Sequence, residues 1–267
     1  MKESGQLPIS VMPEIRTFRW ILLALGVVLA SVLLCYSMLS VLSARQYIKM
    51  YNEKLLSVDE SDSVNVTIES LIGVKSFLES QISLLKNDSL NLTIDLKDSI
   101  ANLVIEGVTL HSAPIKSIRI SRFFYLLNNN AYVRLFGKPF FIESFKSTIV
   151  KEPITIKQAP KDTLEAATFF EMPDTIINDI VAVRFKLEHG IFLTLRQDEE
   201  PIIYGNSKNR FFFLKGRLNK VKSDFSRIFH FRLPLYEPRL DLTLSKDDVV
   251  TLFRALPDSA YIALRIR

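Results

Sequence analysis

The stretch LNLTIDLKDSIANLVIEGVTLHSAPIKSIRIS, residues 90–121, decides the fold class. Its apolar residues recur at every second position: Leu90, Leu92, Ile94 and Leu96 share one face, the turn residues KDS follow, and the runs IANLVIEGVTLHSA and IKSIRIS continue the pattern. Successive side chains of an extended chain point to opposite sides, so period two marks half-buried strands, and several such runs separated by short turns make a meander. Working outward toward the C-terminus, strands are expected at 132–136, 154–157, 180–187, 191–196, 210–214, 240–244 and 261–266, with LEHGIFL turning a hairpin at His189 and Gly190. Two helices interrupt them. KDTLEAATFFE follows Pro160 and stops before Pro173, and SKDDVVTLFRAL carries Ser245 as N-cap, Asp248 in the capping-box position and Pro257 as its stop. No internal repeat and no long linker divides the region, so residues 87–267 read as one β-rich domain, a sandwich-like mixed sheet with a few helices.

Composition points to the other end of the chain. With 267 residues, 34 Lys and Arg against 29 Asp and Glu, eight Gly, eleven Pro and a single Cys, the protein is neither collagen-like, nor low-complexity, nor a disulfide scaffold. The mean hydropathy of +0.18 asks for a lipid-facing segment. That segment is WILLALGVVLASVLLCYSMLSVL, residues 20–42, which contains no charge. At ~1.5 Å per residue it makes roughly 35 Å of helix, enough to cross a ~30 Å hydrocarbon core with some tilt. A cleaved signal peptide has a shorter apolar region and a small-x-small cleavage site, whereas VLSA fits poorly, so an uncleaved signal anchor is expected. Trp20 suits an interfacial belt, and Tyr36 falls too deep for one. Flanking cations nearly tie, with Arg16 and Arg19 before the span and Arg45, Lys49 and Lys54 after it. The long C-terminal part settles the expectation on a type II topology, with residues 1–19 a cytoplasmic tail and the β domain outside.

Between span and domain, residues 43–86 read as a juxtamembrane helical stalk. Ile68, Leu71, Leu78, Ile82 and Leu85 fall at steps of three and four, with Lys75 interrupting the seam. The stripe fits either a coiled-coil homodimer or a single amphipathic helix packed on its own domain; Gly73 and the few clean heptads favour the second. Cys35, the one cysteine, lies inside the span, so the exported part has no thiol for a disulfide, a metal or catalysis. That suits a bacterial inner-membrane protein facing the periplasm or cell exterior.

Chemical motifs are absent. His111, His189 and His230 have no partner at ligand spacing, no P-loop, G-x-S-x-G or H-E-x-x-H occurs, and neither cofactor nor metal is expected. Charge is more informative. Lys208, Arg210, Lys215, Arg217, Lys220, Lys222, Arg227, Arg232 and Arg239 are opposed only by Asp224 and Glu237, and Phe211, Phe212, Phe213, Phe225, Phe229 and Phe231 lie among them. One reading is an exposed basic, aromatic surface for an anionic polymer or lipid headgroups. The other, which is the expectation, is a strand–loop–strand unit with its Phe residues in the core. Nucleic acid asks for the same electrostatics but is seldom met by an exported domain.

Residues 90–121 and the C-terminal LDLTLSKDDVVTLFRALPDSAYIALRI resemble the opening and closing segments of L,D-transpeptidase (YkuD-like) domains. In the closing segment, Leu244 and Ser245 take the family's helix cap, Asp248 its acidic position, Leu252 and Phe253 its Leu-Tyr pair, and Pro257 its proline. The family's nucleophilic Cys then falls at Asp241, its Gly at Leu240 and its His at Arg239. The resemblance therefore implies a degenerate cleft around Arg239, Leu240, Asp241 and His230 without thiolate or oxyanion-binding glycine. The expected role is a non-catalytic, single-pass envelope protein that binds peptidoglycan or an envelope partner protein. The alternatives are an enzyme using His111, His230 or Asp241, and a purely structural subunit of a membrane complex.

Overall fold

The structure, a computed structural model, describes residues 13–53, 66–151, 180–198 and 207–267, with side chains described over 20–53, 69–151, 180–198 and 214–267. The strand expected at 154–157 and the helix at 161–171 lie outside the described residues. Two compact units form: residues up to Gln46 with Ser223–Tyr236, and Tyr47–Lys222 with Glu237–Arg267.

In the larger unit the period-two runs become strands. β1 (Asn91–Asp95), β2 (Ile100–Ile105), β3 (Val108–Pro114) and β4 (Ser117–Ile120) come from the stretch at 90–121, and β5 (Phe140–Ser147), β6 (Ala182–Leu187), β7 (Phe192–Gln197), β8 (Arg239–Leu244) and β9 (Tyr261–Arg265) follow. Their order is β3-β2-β1-β9-β5-β6-β7-β8-β4, antiparallel except for the β1/β9 and β7/β8 pairs. The run expected as one strand from Ile100 is split by a two-residue turn at Glu106 and Gly107, both at positive φ (48° and 81°), the twist a tight hairpin needs. His189 and Gly190 turn the β6–β7 hairpin as anticipated, at φ 62° and 69°.

β3 and β4 occupy opposite ends of the strand order yet are joined only by Ile115 and Lys116. The sheet therefore curls on itself, and the join is bonded on both sides, Ile115 N–H to Ser99 O (2.8 Å) and Lys116 N–H to Thr243 O (2.8 Å). Inward alternation fills the hollow: Leu92, Ile94, Leu103, Leu193, Leu195, Leu240, Leu242 and Leu244 are buried. The helix at Lys246–Ala255 closes an end of this core, where Phe253 meets Phe145 at 5.3 Å and Phe185 at 6.4 Å. Its N-cap is Ser245, whose hydroxyl accepts from Asp248 N–H, as the capping-box spacing predicts.

Two expected strands are helices. Residues 132–136 belong to Asn129–Phe136, capped by the Asn128 side chain accepting from Ala131 N–H (2.8 Å); the cap and the buried face of Ala131, Tyr132, Leu135 and Phe136 outweigh the strand preference of the aromatic residues. Residues 210–214 belong to Ser207–Phe229, in which Leu214, Leu218, Val221 and Phe225 recur at helical steps. In chain order the helices are α1 (Pro13–Glu53), α2 (Val66–Leu84), α3 (Asn129–Phe136), α4 (Ser207–Phe229) and α5 (Lys246–Ala255). α1 carries the run at 20–42 and is long and apolar enough to cross a membrane.

α2 packs on the sheet, but through a different face from the one expected. Gly73, Ser76, Phe77, Ser80 and Leu84 are buried, while Leu71, Leu78, Ile82 and Leu85 are exposed; the Ile68 side chain lies outside those described. Small residues win because the backbones come close: a Cβ on Gly73 would sit 2.2 Å from the Arg267 carbonyl oxygen. Arg267 also reaches across the helices, donating to the Leu127 carbonyl at 2.7 Å with its guanidinium over the Tyr132 ring at 5.0 Å.

Tyr132 is fully buried, and its hydroxyl oxygen accepts from Ile266 N–H (3.1 Å) and Arg267 N–H (3.4 Å). Burial raises its phenol pKa above the ordinary value near 10, with the two backbone donors and the nearby arginines opposing. The unfolded chain thus loses this proton at lower pH than the folded one, so the group favours folding below pH ~10 and its contribution is lost as pH rises beyond that. Tyr132→Phe should cost about 1–2 kcal/mol at pH 7, because two amides lose their acceptor. In denaturant titrations from pH 9 to 11 it should also flatten the alkaline loss of stability.

Candidate functional site

β8 shows first what its residues can do. Alternation sends Leu240 and Leu242 into the core and leaves Arg239 and Asp241 on the outer face. Asp241 pairs across the ladder with Thr194 on β7 and Arg119 on β4, and its carboxylate lies 3.8 Å from the Arg196 guanidinium. Glu237 takes Arg239 at 2.8 Å and Lys220 at 3.7 Å. Burial holds the Arg184 guanidinium below its ordinary range, with repulsion from Arg239 adding and Asp241 opposing. This face is a cationic, ion-paired surface in which Asp241 balances charge and Leu240 is a core residue. His230 belongs to the smaller unit, where it follows α4 and its Nδ1 lies 2.6 Å from the Ser226 carbonyl oxygen in the last turn of that helix.

The basic run lies on α4, so the expected strand–loop–strand unit with core phenylalanines does not form. Lys215, Arg217 and Lys222 are exposed, Lys220 serves Glu237, and Arg227 Nε donates to the Leu233 carbonyl at 2.9 Å; the side chains of Lys208 and Arg210 lie outside those described. Of this run's phenylalanines, the three with described side chains, Phe225, Phe229 and Phe231, are not among the buried core residues. Phe225 stacks on Tyr36 with ring centroids 5.8 Å apart, and Phe229 and Phe231 are exposed.

His111 meets Asp248 at 2.9 Å, and the Ser245 hydroxyl donates to the other oxygen of the same carboxylate at 2.6 Å. The residue types are those of a hydrolytic triad, but the connectivity is not. Serine and histidine both bond the aspartate, so the imidazole is not placed to take the serine proton. Asp248 joins the α5 cap to edge strand β3.

A concave site forms elsewhere in the larger unit. The last turns of α1 bring Met50 and Tyr51, α3 brings Arg134 and Leu135, Lys138 follows, and the β6–β7 turn adds His189, around an open pocket of about 530 Å3. Its wall is stiff. Tyr47 and Tyr51 pack 5.0 Å apart and lie 5.2 Å and 5.5 Å from Phe123, Tyr47 donates to the His189 carbonyl at 2.6 Å, and Asn52 bridges to Leu126 O (3.0 Å) and Asn128 N–H (3.1 Å). Two exposed cations and an imidazole beside a tyrosine ring suit a ligand with a carboxylate or phosphate and an apolar or sugar face.

No family model, no curated protein and no solved structure matches this chain. The pocket therefore rests on its own geometry. Sequence reasoning missed it because its residues come from three distant segments, none with a motif; the only local sign was the His189–Gly190 turn.

The triad-like trio is testable. Ser245→Ala should lower stability by about 1 kcal/mol, the loss of a helix cap. The intact protein should remain unlabelled by a fluorophosphonate in mass spectrometry, whereas an adduct on Ser245 would make the trio catalytic.

Proposed function

We propose that this protein is a single-pass, non-catalytic protein of the bacterial cytoplasmic membrane, its N-terminus in the cytoplasm and its β domain outside, which binds a carboxylate-bearing envelope ligand. Peptidoglycan stem peptides come first and an acidic segment of an envelope protein second. The observation that carries this reading is the convergence of Arg134, Lys138 and His189 beside Tyr51 in a pocket whose wall is the continuation of α1. A permanent anchor is favoured over a cleaved signal because the apolar helix runs unbroken into Tyr47 and Tyr51, which pack on Phe123. The degenerate transpeptidase-like reading agrees with a role in binding, since the position matched to the nucleophile is Asp241, engaged with Arg196.

The full chain in detergent should co-sediment with purified sacculi. Arg134→Glu with Lys138→Glu should weaken this about tenfold or more, the scale of one lost charge-assisted contact. Amidation of the sacculus carboxylates should do the same. Binding that ignores both changes would overturn the pocket assignment. A periplasm-active reporter fused after Arg267 should be active, and an inactive fusion with protease protection reversed would overturn the orientation.

The exposed stripe of Leu71, Leu78 and Ile82 on α2, continued by Leu85 just beyond it, supports a second reading, a structural subunit docking another membrane protein through this face. Stoichiometric co-purification that Leu78→Asp abolishes would favour it.

A further inference from the structure

The smaller unit contains an arrangement unsuited to water. The segment FHFRLPL, residues 229–235, exposes Phe229, Phe231 and Leu235 by 80%, 101% and 52%. Phe231 also sits at φ 55°, a left-handed conformation that a bulky L-residue rarely adopts. The end of α4 holds it there, with His230 N–H donating to Arg227 O (3.0 Å), Phe231 N–H to Ile228 O (2.9 Å) and Arg232 N–H to Arg227 O (2.9 Å). A firmly bonded turn thus presents a strained, fully exposed aromatic residue, a combination typical of functional sites.

The same turn is tied to α1. The Tyr36 hydroxyl donates to Asp224 at 2.9 Å, Ser43 donates to the Pro234 carbonyl at 2.6 Å, and Leu235 N–H points to Asp224 at 3.4 Å. Asp224 is 1% exposed. An ionisable group is costly in hydrocarbon, so this latch marks where acyl chains give way to the interface. The rise along α1 from Arg19 to Tyr36 is roughly 26 Å at ~1.5 Å per residue, close to the ~30 Å core. Within 223–236 the one carboxylate, Asp224, is buried, while Arg232 is exposed beside the aromatic residues. A cationic, aromatic turn at that level complements anionic headgroups above an acyl boundary.

We propose that residues 229–235 form an interfacial wedge, with Phe229, Phe231 and Leu235 entering the acyl boundary of the bilayer around α1 and Arg232 facing anionic phospholipid headgroups. The inference rests on the membrane-spanning reading of α1. Under it, Tyr36 is an interface residue after all, and the bilayer ends short of Leu42.

The test uses the full chain in nanodiscs of phosphatidylglycerol and phosphatidylcholine. In a Cys35→Ser background, nitroxide labels are placed by Phe231→Cys and, separately, by Leu29→Cys. The oxygen-to-nickel accessibility ratio at 231 should exceed that of the free label in buffer by about threefold or more, as for a side chain at the acyl boundary. It should fall when Arg232→Glu is added or when the discs are purely zwitterionic. A deep signal at 29 with an aqueous signal at 231 overturns the wedge and leaves the anchor standing. An aqueous signal at both positions overturns the anchor and the wedge together.

Discussion

The two-residue link between β3 and β4 is the constraint on which the larger unit depends. It joins strands at opposite ends of a nine-strand order, so the sheet cannot lie flat. Once the sheet curls, each strand has an inside and an outside, and the alternation of side chains assigns every residue to one of them. The inside takes Leu, Ile and Phe; the outside inherits the charges of β6, β7 and β8.

That division separates the residues around the middle of β8. Leu240, matched by the resemblance to an oxyanion-hole glycine, points inward, and its neighbours Arg239 and Asp241 point outward into ion pairs with Glu237 and Arg196. A concave pocket forms where α1, α3 and the β6–β7 turn meet, because helix ends and tight turns can bring side chains from different directions to one point.

Helices α2 and α4 share an unusual feature. Each turns part of its apolar face outward and sets small or polar residues beside the apolar ones it packs: Gly73, Ser76 and Ser80 with Phe77 and Leu84 on α2, and Gly216, Lys220 and Asp224 with Phe225 on α4. For α2 the cause is the close approach of the Arg267 backbone to Gly73. For α4 it is the pairing of Lys220 with Glu237 and of Asp224 with Tyr36. Both helices thus leave leucine, isoleucine or valine side chains exposed.

The sequence by itself determined what depends on neighbouring residues. Period two at 90–121 specified the meander, the uncharged run at 20–42 specified an apolar helix, Ser245 with Asp248 specified a cap, and His189–Gly190 specified a hairpin. Tertiary structure decided the rest. Residues 132–136 and 210–214 carry strand-favouring aromatic residues but became helical, one through the Asn128 cap and buried contacts, the other through the 23-residue helix that contains it. The burial of α2 was decided by how near a backbone could approach, and the pocket by three segments that lie far apart in the chain. Periodicity reports which side chains share a face. Which face is covered, and by what, depends on chain segments that a local pattern does not contain.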